Sequence, residues 1–142
     1  MKKVLVFLVT YNAEKTVQQV LSRIPSDALS AEDYSLEVLV IDDCSEDKTF
    51  EEAQTYKNEN CLMPLTILKN PANLRYGGNQ KLGYRYAIEH GYDIVALLHG
   101  DGQYAPEELP RLLAPLVAGE CDAVFGSRMM PPGDPLGGGN RR

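Results

Sequence analysis

Short, nearly unbroken apolar runs alternate along this chain with longer segments of helical periodicity, and that alternation restricts its fold more than any other feature. The runs are "KKVLVFLVTY", "SLEVLVIDD", "LTILKN", "YDIVALLH" and "CDAVFGSR". Runs of Val, Ile and Leu without an alternating polar face are what strands buried on both faces require. Between them, "NAEKTVQQVLSRIPS" places Val17, Val20, Leu21 and Ile24 at i, i+3, i+4 and i+7, the stripe of an amphipathic helix, and Pro25 stops it. "SEDKTFEEAQTY" reads as a helix capped by Ser45 or Asp47, with Phe50 and Ala53 inward. "GGNQKLGYRYAIEHG" reads as a third helix, closed by Gly91. "APEELPRLLAPLVAG" is a fourth, with Pro106 near its start and Pro110 and Pro115 expected to kink or divide it. The expected architecture is an α/β domain with a mostly parallel sheet and helices on both faces, ending after a fifth strand.

The domain spans residues 1–128. The remaining "MMPPGDPLGGGNRR", residues 129–142, is rich in Gly and Pro and shows no periodic segment. It reads as a loop at which the chain is cut, or from which a native chain continues. A formal net charge of -6 disfavours a nucleic-acid backbone or an anionic membrane surface as the main partner. No stretch approaches the roughly 20 apolar residues of a membrane span, and "VLVFLV" lacks a cleavage-site pattern. Cys44, Cys61 and Cys121 have no metal-type spacing, and their odd, scattered number points to reduced thiols in a cytoplasmic setting.

In a parallel α/β sheet, ligands bind beyond the carboxyl ends of the strands. Here every expected strand end is polar: Thr10, Tyr11 and Asn12; Asp42, Asp43 and Ser45; "NPANLRYGGN"; His99, Asp101 and Gln103; and Gly126, Ser127 and Arg128. A tyrosine at such an end offers a ring for a nucleobase. A carboxylate after the second strand can accept hydrogen bonds from a ribose or a base, although a helix N-cap is the simpler role for one of Asp42 and Asp43. In "HGDGQ", His99, Asp101 and Gln103 occupy alternate positions, which would put them on one side of an extended chain. Nitrogen and hard oxygen donors there would suit Mg²⁺ or Mn²⁺, and the competing reading is an ordinary turn. Arg128 offers a guanidinium fork for phosphate. No GxGxxG follows the first strand, which disfavours a dinucleotide fold of that type. Nor does "TYNAEKT" supply the Gly-rich basic loop of a nucleotidyltransferase.

Taken in order, "VTYNAEKTV", "VIDDCSEDKT", "NPANLRYGGNQKLGYRYAI", "LLHGDGQYAPEELPRLL" and "DAVFGSR" resemble the successive motifs of family 2 glycosyltransferases, which have the GT-A fold. The likeness is to the polyprenyl-phosphate, dolichyl-phosphate mannose synthase-like branch. It implies a UDP- or GDP-type nucleotide-diphospho-sugar donor, Mg²⁺ or Mn²⁺, and transfer with inversion to a lipid-phosphate acceptor. The protein would then be cytoplasmic, and peripheral to the membrane at most. By position, nucleotide contacts fall on Thr10, Tyr11, Asn12, Glu14, Asp42, Asp43, Gly78 and Asp101. The implied metal ligands are His99, Asp101 and Gln103, and the implied catalytic residues are Asp101 and Arg128. Two departures stand out: His99 replaces the first aspartate of the family's Asp-x-Asp motif, and Ala13 stands where an acidic residue often follows Tyr-Asn, with Glu14 one later. The resemblance also implies an acceptor region beyond residue 142. Its absence leaves open a non-catalytic nucleotide-sugar-binding module.

Overall fold

The computed structural model describes residues 1–127. Four strands, β1 (Lys2–Thr10), β2 (Tyr34–Asp42), β3 (Leu65–Lys69) and β4 (Ile94–His99), form one sheet in the order β3-β2-β1-β4. All three pairings are parallel, with Thr10 opposite Asp42, Asp42 opposite Lys69 and Val9 opposite His99. The polar ends of the four strands therefore share one edge.

The helices are α1 (Val17–Ser22), α2 (Ser26–Leu29), α3 (Thr49–Glu59), α4 (Arg75–Glu89) and α5 (Leu109–Val117), the last preceded by a 3₁₀ turn at Pro106–Glu108. On one face of the sheet, Val4, Val6, Leu8, Val38 and Val40 pack against Val17, Val20 and Leu21 of α1, Ala53 of α3, and Leu109 and Leu113 of α5. Among the described residues the other face is covered by α4, with Leu82, Tyr86 and Ala87 over Leu5, Phe7, Leu39 and Ile41. Strands covered on both sides need both sets of side chains to be apolar, which is why the runs are unbroken. A Cβ on Gly83 would lie 2.0 Å from Cε1 of Phe7, so glycine there lets α4 lie directly on β1. That close approach brings the start of α4 to the polar edge.

Three expectations change. Residues 121–127 form no strand, although "CDAVFGSR" has the composition of one, and Phe125 is 90% exposed. A strand exists through its ladder, and among the described residues this segment joins no strand of the sheet, while β4 is paired with β1. Helix α3 starts at Thr49 after Lys48, which makes no side-chain cap, and of the two expected caps Asp47 rather than Ser45 accepts the Thr49 N–H, through Oδ1 at 3.0 Å. Pro115 stands inside α5 without dividing it, and Pro110 occupies the first turn, where a missing N–H removes no helical hydrogen bond. Gly91 does close α4 beyond its end, at φ +70°. Arg128 and the tail from residue 129 lie outside the described residues.

Candidate nucleotide-sugar site

The chain builds outward from β1 through β2 to β3, then crosses back to place β4 on the other side of β1, so the strand order reverses at β1 and makes this the switch point of the sheet. A cleft of about 620 Å³ opens there. Its walls are Val9, Thr10 and Tyr11 at the end of β1, Asp43 after β2, and His99, Gly100 and Asp101 after β4. Asn73, Arg75, Tyr76 and Asn79, around the start of α4, complete it. Tyr11 is 48% exposed, so a ring face is open to a ligand.

The two adjacent aspartates separate completely. Asp42 is fully buried and does not line the cleft. Its Oδ1 accepts the Ser45 N–H at 3.3 Å and the Ser45 hydroxyl, while Oδ2 has no hydrogen-bond partner among the described residues. Burial pushes the Asp42 carboxyl up from its ordinary value, opposed by the Ser45 bonds and by Lys69, whose Nζ lies 3.8 Å from Oδ2. Asp43, by contrast, is held at the cleft wall. Its N–H donates to the Thr10 carbonyl at 2.9 Å, and its Oδ1 accepts Asn70 Nδ2 at 2.9 Å and the Leu74 N–H at 2.8 Å. Asn70 also donates to Asn79 Oδ1 at 3.3 Å, and Asn79 Nδ2 to the Ile41 carbonyl at 3.0 Å. A carboxylate oriented by buried amides is ready to receive a ligand donor without reorganising.

Asn12 and Glu14 belong to a clasp between the β1–α1 and β2–α3 loops. The N–H groups of Asn12, Ala13 and Glu14 donate to Ser45 Oγ (2.8 Å), Thr49 Oγ1 (2.8 Å) and Asp47 Oδ2 (3.2 Å). In return, Asn12 Oδ1 accepts the Glu46 N–H at 3.0 Å and Glu14 Oε2 the Lys48 N–H at 3.1 Å. Neither side chain lines the cleft. Asn12 (φ +49°) and Cys44 (φ +60°) adopt the left-handed region, which turns the two loops toward each other. Gly78 is also absent from the cleft wall; a Cβ there would lie 2.8 Å from Leu74 Cβ, so its role is close packing at the start of α4. Cys44, Cys61 and Cys121 are free thiols.

"HGDGQ" leaves the extended conformation at His99, and Gly100 and Asp101 form a turn, with Gly102 at φ +78°. The alternation expected of a continuing strand therefore stops at its first member. Asp101 is exposed, and its Oδ1 accepts the Gln103 N–H at 3.0 Å. His99 Nε2 lies 3.2 Å from the Tyr76 hydroxyl, and its ring packs 5.1 Å from that of Tyr76 and 4.9 Å from that of Tyr104. Burial pushes the His99 imidazole down from its ordinary value, against the pull of Asp101, and burial raises the Tyr76 phenol. No three His, Cys, Asp or Glu side chains gather at one point among the described residues. Asp101 is the exposed carboxylate that this turn presents to the cleft.

Of the residues expected from the sequence, Thr10, Tyr11, Asp43, His99 and Asp101 meet at the cleft, whereas Asn12, Glu14, Asp42, Gly78 and Gln103 do not line it. Asn73, Arg75, Tyr76 and Asn79 were not anticipated individually. Their signal was the loop "NPANLRYGGN", but which of its side chains reach the cleft depends on the docking of α4.

A parallel α/β sheet with a polar cleft at its switch point defines a nucleotide-binding class of domain. Residues 5–141 match the family described as Glycosyl transferase family 2, and the chain belongs to that family. It is 35% identical over 131 residues to an undecaprenyl-phosphate mannosyltransferase of Micrococcus luteus, covering 92% of this chain and 50% of that protein. To a dolichol-phosphate mannosyltransferase of Pyrococcus furiosus it is 29% identical over 136 residues, covering 92% of this chain and 34% of the relative. The chain thus spans half or less of the length of these relatives. Among solved structures, the mannosyltransferase PcManGT from Pyrobaculum calidifontis, in complex with GDP-Man and Mn²⁺, superposes with a TM-score of 0.63 at 22% identity, over 84% of this chain and 32% of that one. S. aureus TarS 1-349 in complex with UDP-GlcNAc gives a TM-score of 0.60 at 25% identity, over the same shares of 84% and 32%.

Proposed function

We propose that this chain is the donor-binding part of a glycosyltransferase that takes a UDP- or GDP-type nucleotide-sugar and transfers the sugar, with inversion, to a polyprenyl phosphate. The observation that carries the reading is a single cleft that joins the half-exposed ring of Tyr11 to the oriented carboxylate of Asp43 and, across β1, to the exposed carboxylate of Asp101. In this reading Tyr11 stacks on the base, and Asp43 accepts hydrogen bonds from the base or the ribose. Asp101 and Gln103 would hold Mg²⁺ or Mn²⁺, which when bound neutralises charge on the diphosphate. His99 contributes chiefly by shaping the wall with Tyr76 and Tyr104. Arg128 remains a proposed phosphate contact outside the described residues. A lipid phosphate is already ionised, so its attack needs no general base from this chain. The lipid-phosphate names of the Micrococcus and Pyrococcus relatives support that acceptor. No helix among the described residues is long and apolar enough to cross one.

Thermal unfolding with UDP, GDP and their sugar conjugates, each with and without Mn²⁺, tests the reading. A ligand at 100 times its dissociation constant should add about 2.7 kcal/mol, and Asp43→Asn should remove most of the gain. No shift with any of them would overturn it. His99, standing where the resemblance places the first aspartate of the Asp-x-Asp motif, favours a second reading, donor binding without turnover. Absence of both sugar transfer and donor hydrolysis in a chain that binds the donor would select it.

A further inference from the structure

We propose that Arg75 binds the diphosphate of the donor, as a cationic clamp set at the start of α4; this rests on the donor-binding reading above. Among the described residues lining the cleft, Arg75 carries the one permanent positive charge, opposite the carboxylates of Asp43 and Asp101. It forms no ion pair with another described residue, whereas Arg23, Arg85 and Arg111 each pair with a glutamate. Its side chain makes no hydrogen bond within the described residues; only its backbone N–H is engaged, donating to Asn73 Oδ1 at 2.8 Å. Arg75 is exposed, has no side-chain partner among the described residues and lines a cleft with two carboxylates, and its planar fork matches phosphate oxygens.

The backbone supplies an independent observation. Arg75 sits at φ +62°, a conformation that glycine adopts freely and that a residue with a Cβ adopts at a cost. If the position served the turn alone, glycine would serve it better. Retaining a strained arginine at the mouth of a cleft is the pattern expected where the side chain has work to do. A diphosphate brings negative charge into a cleft that already holds Asp43 and Asp101. With a histidine in place of one carboxylate near the expected metal position, the protein offers a metal ion fewer charged ligands. A fixed guanidinium supplies part of the counter-charge directly.

The test uses the whole chain and its Arg75→Gly and Arg75→Lys variants, with UDP and GDP against uridine and guanosine as calorimetric probes. Arg75→Gly should unfold at the same temperature as the parent or higher, because it relieves the backbone. It should weaken the preferred nucleoside diphosphate by about tenfold or more and leave the matching nucleoside unchanged. Arg75→Lys, which keeps the charge and loses the fork, should fall between. Equal binding of the diphosphate by parent and Arg75→Gly would overturn the assignment, as would an equal loss for diphosphate and nucleoside. If the parent binds no nucleotide at all, the donor-binding reading itself fails, and the clamp with it.

Discussion

The loops that follow β1 and β2 and the turn that follows β4 look alike as sequence, each a polar cluster at the end of an apolar strand, yet they are built for opposite purposes. In the first pair, buried or half-buried Ser45, Asp47 and Thr49 receive backbone N–H groups from Asn12, Ala13 and Glu14, so the two loops brace each other. In the turn after β4, Asp101 is exposed and makes one local bond, to Gln103. Polar residues that satisfy one another hold a frame, whereas polar residues left open to solvent are available to a ligand. Asp42 and Asp43 differ in another way: both are buried and hydrogen-bonded, but only Asp43 lines the cleft.

The largest effect should come from cutting the brace at its centre. Ser45→Ala removes a hydroxyl that accepts from the Asn12 N–H and donates to a fully buried carboxylate. Leaving that charge short of a donor should cost about 3 kcal/mol, read by urea unfolding. A loss below about 0.5 kcal/mol, the range of ordinary surface changes, would mean that the clasp is not the frame.

Next comes a place where the exposed turn presses on the frame. A Cβ on Gly100 would lie 2.4 Å from Thr10 Cγ2, so Gly100→Ala must displace the Thr10 side chain at the end of β1. We expect about 2 kcal/mol of destabilisation, in the range for overpacked sites. Unchanged stability would place the turn after β4 outside the rigid frame.

A smaller effect separates burial from pairing at Asp42. Its folded-state carboxyl titrates above its ordinary value, near pH 3.9. The stability associated with the protonated form is therefore fully present below that pH and is lost as pH rises through the raised folded value. Asp42→Asn cannot suffer this loss, so its stability relative to the parent should improve as pH rises above about 4, and level off once pH passes the raised folded value. A relative stability that instead declines over that range would show that Lys69 dominates burial.

The smallest effect belongs to Asp101. Asp101→Asn should leave unfolding within about 0.5 kcal/mol of the parent while removing the Mn²⁺-dependent part of nucleotide binding. A large stability loss would move Asp101 from the site to the frame.

The unbroken Val, Ile and Leu runs and the helical stripe of Val17, Val20, Leu21 and Ile24 were enough to determine a parallel α/β sheet covered on both faces, because periodicity and burial are local properties of the chain. They also determined that the polar strand ends share one edge, since parallel strands necessarily do. Tertiary structure alone decided that Asp43 rather than Asp42 faces the cleft, that Asn12 and Glu14 brace a loop, and that Arg75 and Tyr76 reach the site. Each of these depends on partners far along the chain: Asn12 on Ser45, Asp43 on Asn70 and Leu74, and Tyr76 on His99. The same holds for "CDAVFGSR", whose composition suits a strand but whose residues 121–127 find no ladder to join. Side-chain direction at a strand end is set by left-handed backbone turns and by how closely α4 lies on Phe7 through Gly83, and neither is written in the spacing of apolar residues.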